Sequence, residues 1–90
     1  MYKVVFRERV IKSLKRRIHP KDREKILSKV EDLAQDLFSR SLDIKKLLAF
    51  ENLEKTYRLR VGEFRVFYEL DTKTKSIIIY KIDYRKTTTY

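Results

Sequence analysis

The stretch Tyr57-Arg58-Leu59-Arg60-Val61-Gly62-Glu63-Phe64-Arg65-Val66-Phe67-Tyr68 holds the chain's only glycine. Two alternating runs meet at Gly62-Glu63. Glycine at the first central position of a two-residue loop predicts a type II′ hairpin, whose twist matches that of the flanking strands. Closing the loop there pairs Val61 with Phe64, Arg60 with Arg65, Leu59 with Val66, Arg58 with Phe67 and Tyr57 with Tyr68. Side chains alternate across a strand. Tyr57, Leu59, Val61, Phe64, Val66 and Tyr68 therefore share an apolar face, and Arg58, Arg60 and Arg65 share the other. Arg60 and Arg65 stand opposite each other, where like charges weaken a sheet. A polyanion outside the fold gives such a cluster a purpose.

Downstream, Asp71 to Lys75 is a polar turn, and Ser76 to Asp83 reads as a third strand of the meander. Placing Leu70 near Ser76 sets Val66 beside Tyr80, Phe64 beside Ile82 and Arg65 beside Lys81. The open face then carries Arg58, Arg60, Arg65, Lys81 and Arg85, with Phe67 and Ile79 among them. A one-residue slip would bury Lys81 and Arg85, so the pattern favours this register. The tail Arg85 to Tyr90 is polar.

Upstream, Tyr2 to Phe6 reads as a strand. Val10, Ile11, Leu14 and Ile18 then fall at helical spacing. Lys12, Lys15, Arg16 and Arg17 line the outer side. The plain reading of those cations is a solvated helix face; the other is a stripe that tracks a nucleic-acid backbone. His19-Pro20 breaks the helix, with His19 placed to cap the next one. Ile26, Val30, Leu33 and Leu37, widened by Leu27, Ala34 and Phe38, predict a second helix over 20–38. Residues 39–55 read as a packed connection, with room for a short strand or a helical turn, anchored by Leu42, Ile44, Leu47, Leu48, Phe50 and Leu53. The expected architecture is α+β: an N-terminal strand, a helical hairpin, then an antiparallel three-stranded meander (β-α-α-β-β-β), with the helices on one face of the sheet.

Ninety residues suit one domain, 1–90, which hides roughly 60–65% of its unfolded surface. Lys and Arg number 23 against 13 Asp and Glu, a net charge of +10. That excess favours nucleic acid, an anionic membrane surface or an acidic protein. The absence of cysteine excludes disulfides and thiolate metal sites. No run approaches a membrane span, and the N-terminus lacks the apolar core of a signal peptide, so a cytoplasmic location is expected.

Guanidinium groups stay protonated and match phosphate oxygens with forked donors. They can orient a phosphodiester and stabilise the added charge of its transition state. Proton transfer needs another group, and Tyr84, Tyr90 and Lys81 lie nearest the cationic face. No Asp, Glu and His cluster has metal-ligand spacing, and neither a phosphate loop nor a Ser-His-Asp arrangement is present. No metal or cofactor is expected.

The element order, the run from Lys46-Leu47 through Tyr57 to Leu70, and the ending Asp83-Tyr84-Arg85-Lys86…Tyr90 resemble the RelE/ParE superfamily of toxin–antitoxin proteins. The resemblance covers nearly the whole chain and leans to the RelE-like branch. It implies a ribosome-dependent mRNA endonuclease that works without metal, the 2′-hydroxyl attacking the adjacent phosphate. Carried over, Arg58, Arg60, Arg65, Arg85 and Tyr90 are the catalytic set, with Lys81, Phe67, Lys86 and Tyr84 as RNA contacts. Tyr90 assists proton transfer or stacks on a base. The implied partners are the ribosome, mRNA and a RelB-like antitoxin, an acidic amphipathic chain. Leu48 stands where many members carry glycine, and Tyr84 where histidine is frequent. The ParE branch, which poisons DNA gyrase, shares the fold, and a non-catalytic RNA-binding module is a further alternative.

Overall fold

The structure is a computed structural model that describes residues 1–47 and 56–84. Strand β1 (Lys3–Phe6) leads into helices α1 (Glu8–Arg16) and α2 (Pro20–Gln35). Strands β2 (Asp43–Lys46), β3 (Thr56–Val61), β4 (Phe64–Asp71) and β5 (Ser76–Tyr84) follow. They form one sheet in the order β1-β5-β4-β3-β2. β1 runs parallel to β5, and every other pair is antiparallel. The α+β reading and the helices on one face of the sheet hold. The connection before the hairpin adds β2 to the meander, and the rest of it, with Leu48, Phe50 and Leu53, lies outside the described residues.

The β3–β4 pairs match the predicted register residue for residue. Gly62 has φ 58°, whereas Glu63 is not in the positive-φ region, as a type II′ turn requires. A Cβ added at Gly62 would meet nothing within 4 Å. Backbone conformation alone makes glycine the favoured residue there.

The β4–β5 register differs from expectation. Asp71 pairs with Ser76 and Leu70 with Ile77. Asp71 Oδ1 accepts the N–H groups of Lys73 and Thr74, at 3.0 and 3.2 Å, so Asp71 ends β4 and the turn narrows to residues 72–75. Between Phe67 and Tyr68 the register shifts again: Tyr68 faces Ile79, but Phe67 faces Lys81. Tyr80 is the extra residue of a β-bulge. Strict alternation would point Lys81 the same way as Ile77 and Ile79, which are 0% exposed. The bulge resets the phase, turning Lys81 out and Ile82 toward the core. Arg65 consequently faces Asp83 rather than Lys81, and Ile79 belongs to the core rather than to the open face.

The core lies between the sheet and the helices. Val10, Leu14 and Ile18 pack with Ile26, Val30 and Leu33 over Leu59, Val66, Tyr68, Ile77 and Ile79. Ile11 is exposed, although its spacing suited the buried stripe. His19 caps α2, Nδ1 accepting the Lys21 N–H at 3.1 Å. The helix stops at Gln35 rather than Phe38. Asp36 turns extended at φ −147°, and its Oδ1 accepts the Phe38 N–H, which competes with continued helix.

Candidate nucleic-acid interface

Among the described residues, no helix crosses the sheet's second face. The registers place Arg58 and Arg60 of β3, Arg65 and Phe67 of β4, and Lys81 of β5 on this face. Arg58 stands opposite Phe67, so Arg65 is its diagonal neighbour, at roughly 7–8 Å between Cα atoms. β2 adds Lys45, directly opposite Arg58. Sequence reasoning missed Lys45, because its connection showed no strand alternation long enough to assign a face.

Each cation sits differently. The Arg58 side chain is 18% exposed, and its Nη2 lies 3.5 Å from Asp43 Oδ1. Its Nε is buried without a hydrogen-bond partner among the described residues, a costly state for a donor. Arg58 is thus held by one long contact at Nη2 while its Nε–H goes unused among the described residues. Arg65 is half-buried and forms no ion pair among the described residues. The Asp83 carboxylate opposite it lies instead 3.5 Å from Lys81 Nζ. That ammonium also stands 5.7 Å from the centre of the Phe67 ring, a cation–π distance. Phe67 in turn borders Tyr80, with ring centroids 6.3 Å apart. Arg60 is exposed near the hairpin tip, where it borders a groove with Lys25 and Ser28 of α2.

The tyrosines divide. Burial pushes the Tyr80 phenol above its ordinary pKa, and nearby Glu69 adds to the shift. Burial does the same to Tyr68, with a smaller contribution from Tyr57. Neither suits proton abstraction at neutral pH. Tyr84 lies off the basic face and stacks on Phe64, the centroids 4.7 Å apart. The structure therefore brings Arg58, Arg60, Arg65, Phe67 and Lys81 to one face and sets Tyr84 apart. Arg85, Lys86 and Tyr90 lie outside the described residues. Among the described residues, no three His, Asp or Glu side chains are grouped to hold a metal ion, and no helix is long and apolar enough to cross a membrane.

Such a face offers forked donors at Arg58 and Arg65, point charges at Lys45 and Lys81, and an aromatic ring between them, groups whose chemistry can engage phosphate oxygens and a base. Residues 4–88 match the family model described as the ParE toxin of the type II toxin–antitoxin system, parDE. The chain belongs to that family, within the RelE/ParE superfamily, and is the toxin of a toxin–antitoxin system.

Solved structures agree. The archaeal RelE of the RelE–RelB complex from Pyrococcus horikoshii is 27% identical, with a TM-score of 0.79 over 97% of this chain and 98% of that one. The RelB–RelE complex from Methanococcus jannaschii gives 26% identity and 0.69, over 89% and 88%. The isolated E. coli RelE toxin, at 14% identity, shares the fold, with a TM-score of 0.77 over 98% and 88%. No curated protein sequence matches the chain.

Proposed function

We propose that this toxin is a ribosome-dependent mRNA endonuclease that acts without a metal ion. The observation that carries this reading is the β3–β4 register, which sets Arg58 and Arg65 as diagonal neighbours on the sheet face away from the helices. RNA supplies its own nucleophile. The 2′-oxygen bonds to the adjacent phosphorus, the bond to the 5′-oxygen breaks, and a 2′,3′-cyclic phosphate and a 5′-hydroxyl result. One proton leaves the 2′-hydroxyl and one reaches the departing oxygen. Arg58 and Arg65 hold the phosphate and stabilise the charge that builds on it. Arg60, Arg85, Lys81 and Lys86 orient the strand, and Phe67 offers a ring to a base. Tyr90, from the family resemblance, assists proton transfer.

The toxin binds a RelB-like antitoxin in this reading, as its structural neighbours from P. horikoshii and M. jannaschii do. An acidic amphipathic chain complements its +10 charge. The site of action is the cytoplasm, where ribosomes and mRNA meet.

The test is mRNA 5′-end mapping in a translating extract. Wild-type protein produces new ends within the ribosomal A site, whereas Arg58→Ala/Arg65→Ala does not. Undiminished cleavage by the double variant refutes the proposal. The ParE family match favours a second reading, a gyrase poison. Inhibition of purified gyrase supercoiling without any mRNA cleavage would establish it instead.

A further inference from the structure

A second basic surface lies on the helix side of the sheet. β1 accompanies β5 only as far as Ile79, where the Arg7 N–H donates to the Ile79 carbonyl, 3.0 Å away, as the chain leaves the sheet. Beyond that point, the edge of β5 has no neighbouring strand among the described residues. α1 runs beside it, and a cleft of about 440 Å³ opens between them, floored by Lys81–Asp83 and walled by Arg9, Lys12, Ser13 and Arg16. Those four wall residues follow the i, i+3, i+4, i+7 rule for one helix face. Arg9 and Arg16 stand about 10 Å apart along the axis. Arg17 continues the line into an adjoining cleft that Phe64, Ile82 and Tyr84 border.

The charge here is largely unspent. Lys12 pairs with Glu8 and Lys81 with Asp83. Arg9, Arg16 and Arg17 are exposed and form no ion pair among the described residues. Asp83 and Asp22 are the carboxylates that border the two clefts. At the far end, the Tyr84 ring is held against Phe64 while 57% of the residue stays exposed. A row of cations leading to a fixed, exposed aromatic face is the arrangement that tracks single-stranded nucleic acid, with phosphates on the charges and a base on the ring. A uniformly acidic peptide would use the cations and leave the ring idle, whereas each nucleotide supplies both a phosphate and a base.

We infer that the α1–β5 cleft is an RNA-binding groove that meets the open sheet face only along the β5 edge at Lys81 and Asp83, with Arg9, Arg16 and Arg17 on phosphates and Tyr84 under a base. The inference does not depend on the cleavage chemistry.

The test is fluorescence-anisotropy binding of a labelled single-stranded oligouridylate to the full chain across a salt series. Arg9→Glu/Arg16→Glu/Arg17→Glu weakens binding at least tenfold. It also flattens the slope of log affinity against log salt by about 2, the share of three phosphate contacts. Tyr84→Ala weakens binding without changing that slope, and Tyr84→Phe restores it. If charge reversal harms folding, as circular dichroism would show, Arg16→Gln/Arg17→Gln replaces it, with a slope change of about 1.4. Unchanged affinity and slope in the folded variants overturn the groove. Retained RNA binding with lost binding to polyglutamate also overturns it and assigns the surface to an acidic protein. Arg58→Ala/Arg65→Ala, which tests cleavage, leaves the α1–β5 share of the slope in place.

Discussion

Asp43 stands opposite Arg60 in the β2–β3 ladder, yet its carboxylate turns to Arg58, with Oδ1 3.5 Å from Nη2. The pair is uneven, since Asp43 is 56% exposed at its side chain and Arg58 only 18%. A long contact to a wet carboxylate contributes little to stability. It steadies the guanidinium while leaving most of its donors for an incoming phosphate.

Asp43→Asn is therefore expected to change unfolding free energy by less than about 1 kcal/mol. It should strengthen RNA binding by a few-fold, because a competing anion has been removed. Urea denaturation and anisotropy titration check the two halves.

Arg65→Ala should lower single-turnover RNA cleavage by roughly 10²–10³-fold, the usual effect of losing one transition-state donor. Arg65→Lys should recover only part of the rate, since an ammonium lacks the planar fork. Melting temperatures should stay close to wild type, because Arg65 forms no ion pair among the described residues.

Gly62→Ala should cost about 1–2 kcal/mol in urea denaturation. The effect comes from holding an L-residue at φ 58°, as no described neighbouring atom obstructs a Cβ.

Ile79 and Ile78 make a paired test of the β5 phase. Ile79 is 0% exposed in the core, so Ile79→Ala should cost about 2–5 kcal/mol. Ile78 is half-buried on the opposite face and should cost clearly less. Equal losses would contradict the register.

Tyr68 gives the protein an alkaline limit. Its phenol is buried and its pKa raised above the ordinary value of 10, so the folded state holds the proton more tightly than the unfolded chain. The resulting stability is full below about pH 10 and drains as the pH rises, by up to about 1.4 kcal/mol per pH unit. Tyr68→Phe should lose less on the same rise in pH, which unfolding curves at pH 9 to 11 will compare.

The hairpin was legible because its information is local. Gly62 allows one tight turn, and period-two alternation then assigns Arg58, Arg60 and Arg65 to one face. His19-Pro20 was legible for the same reason. β5 was harder to read, since Ile77-Ile78-Ile79-Tyr80 is apolar at every position and alternation says nothing within it. The Asp71 turn and the Tyr80 bulge decide which isoleucines go inward. Lys45 went unseen because β2 acquires its face only by pairing with β3.

Turn chemistry and side-chain alternation depend on near neighbours along the chain, so the β3–β4 pairing, the helical hairpin and the clustering of cations are readable from the residues alone, whereas β2 is not. Folding in three dimensions sets Lys81 with Arg58 and Arg65 while Tyr84 stacks behind them, and lays α1 beside a stretch of β5 that has no neighbouring strand on that edge among the described residues. Those placements depend on helices burying one side of the sheet and on the bulge that lets Ile77, Ile79 and Ile82 all face them, contacts between segments far apart along the chain.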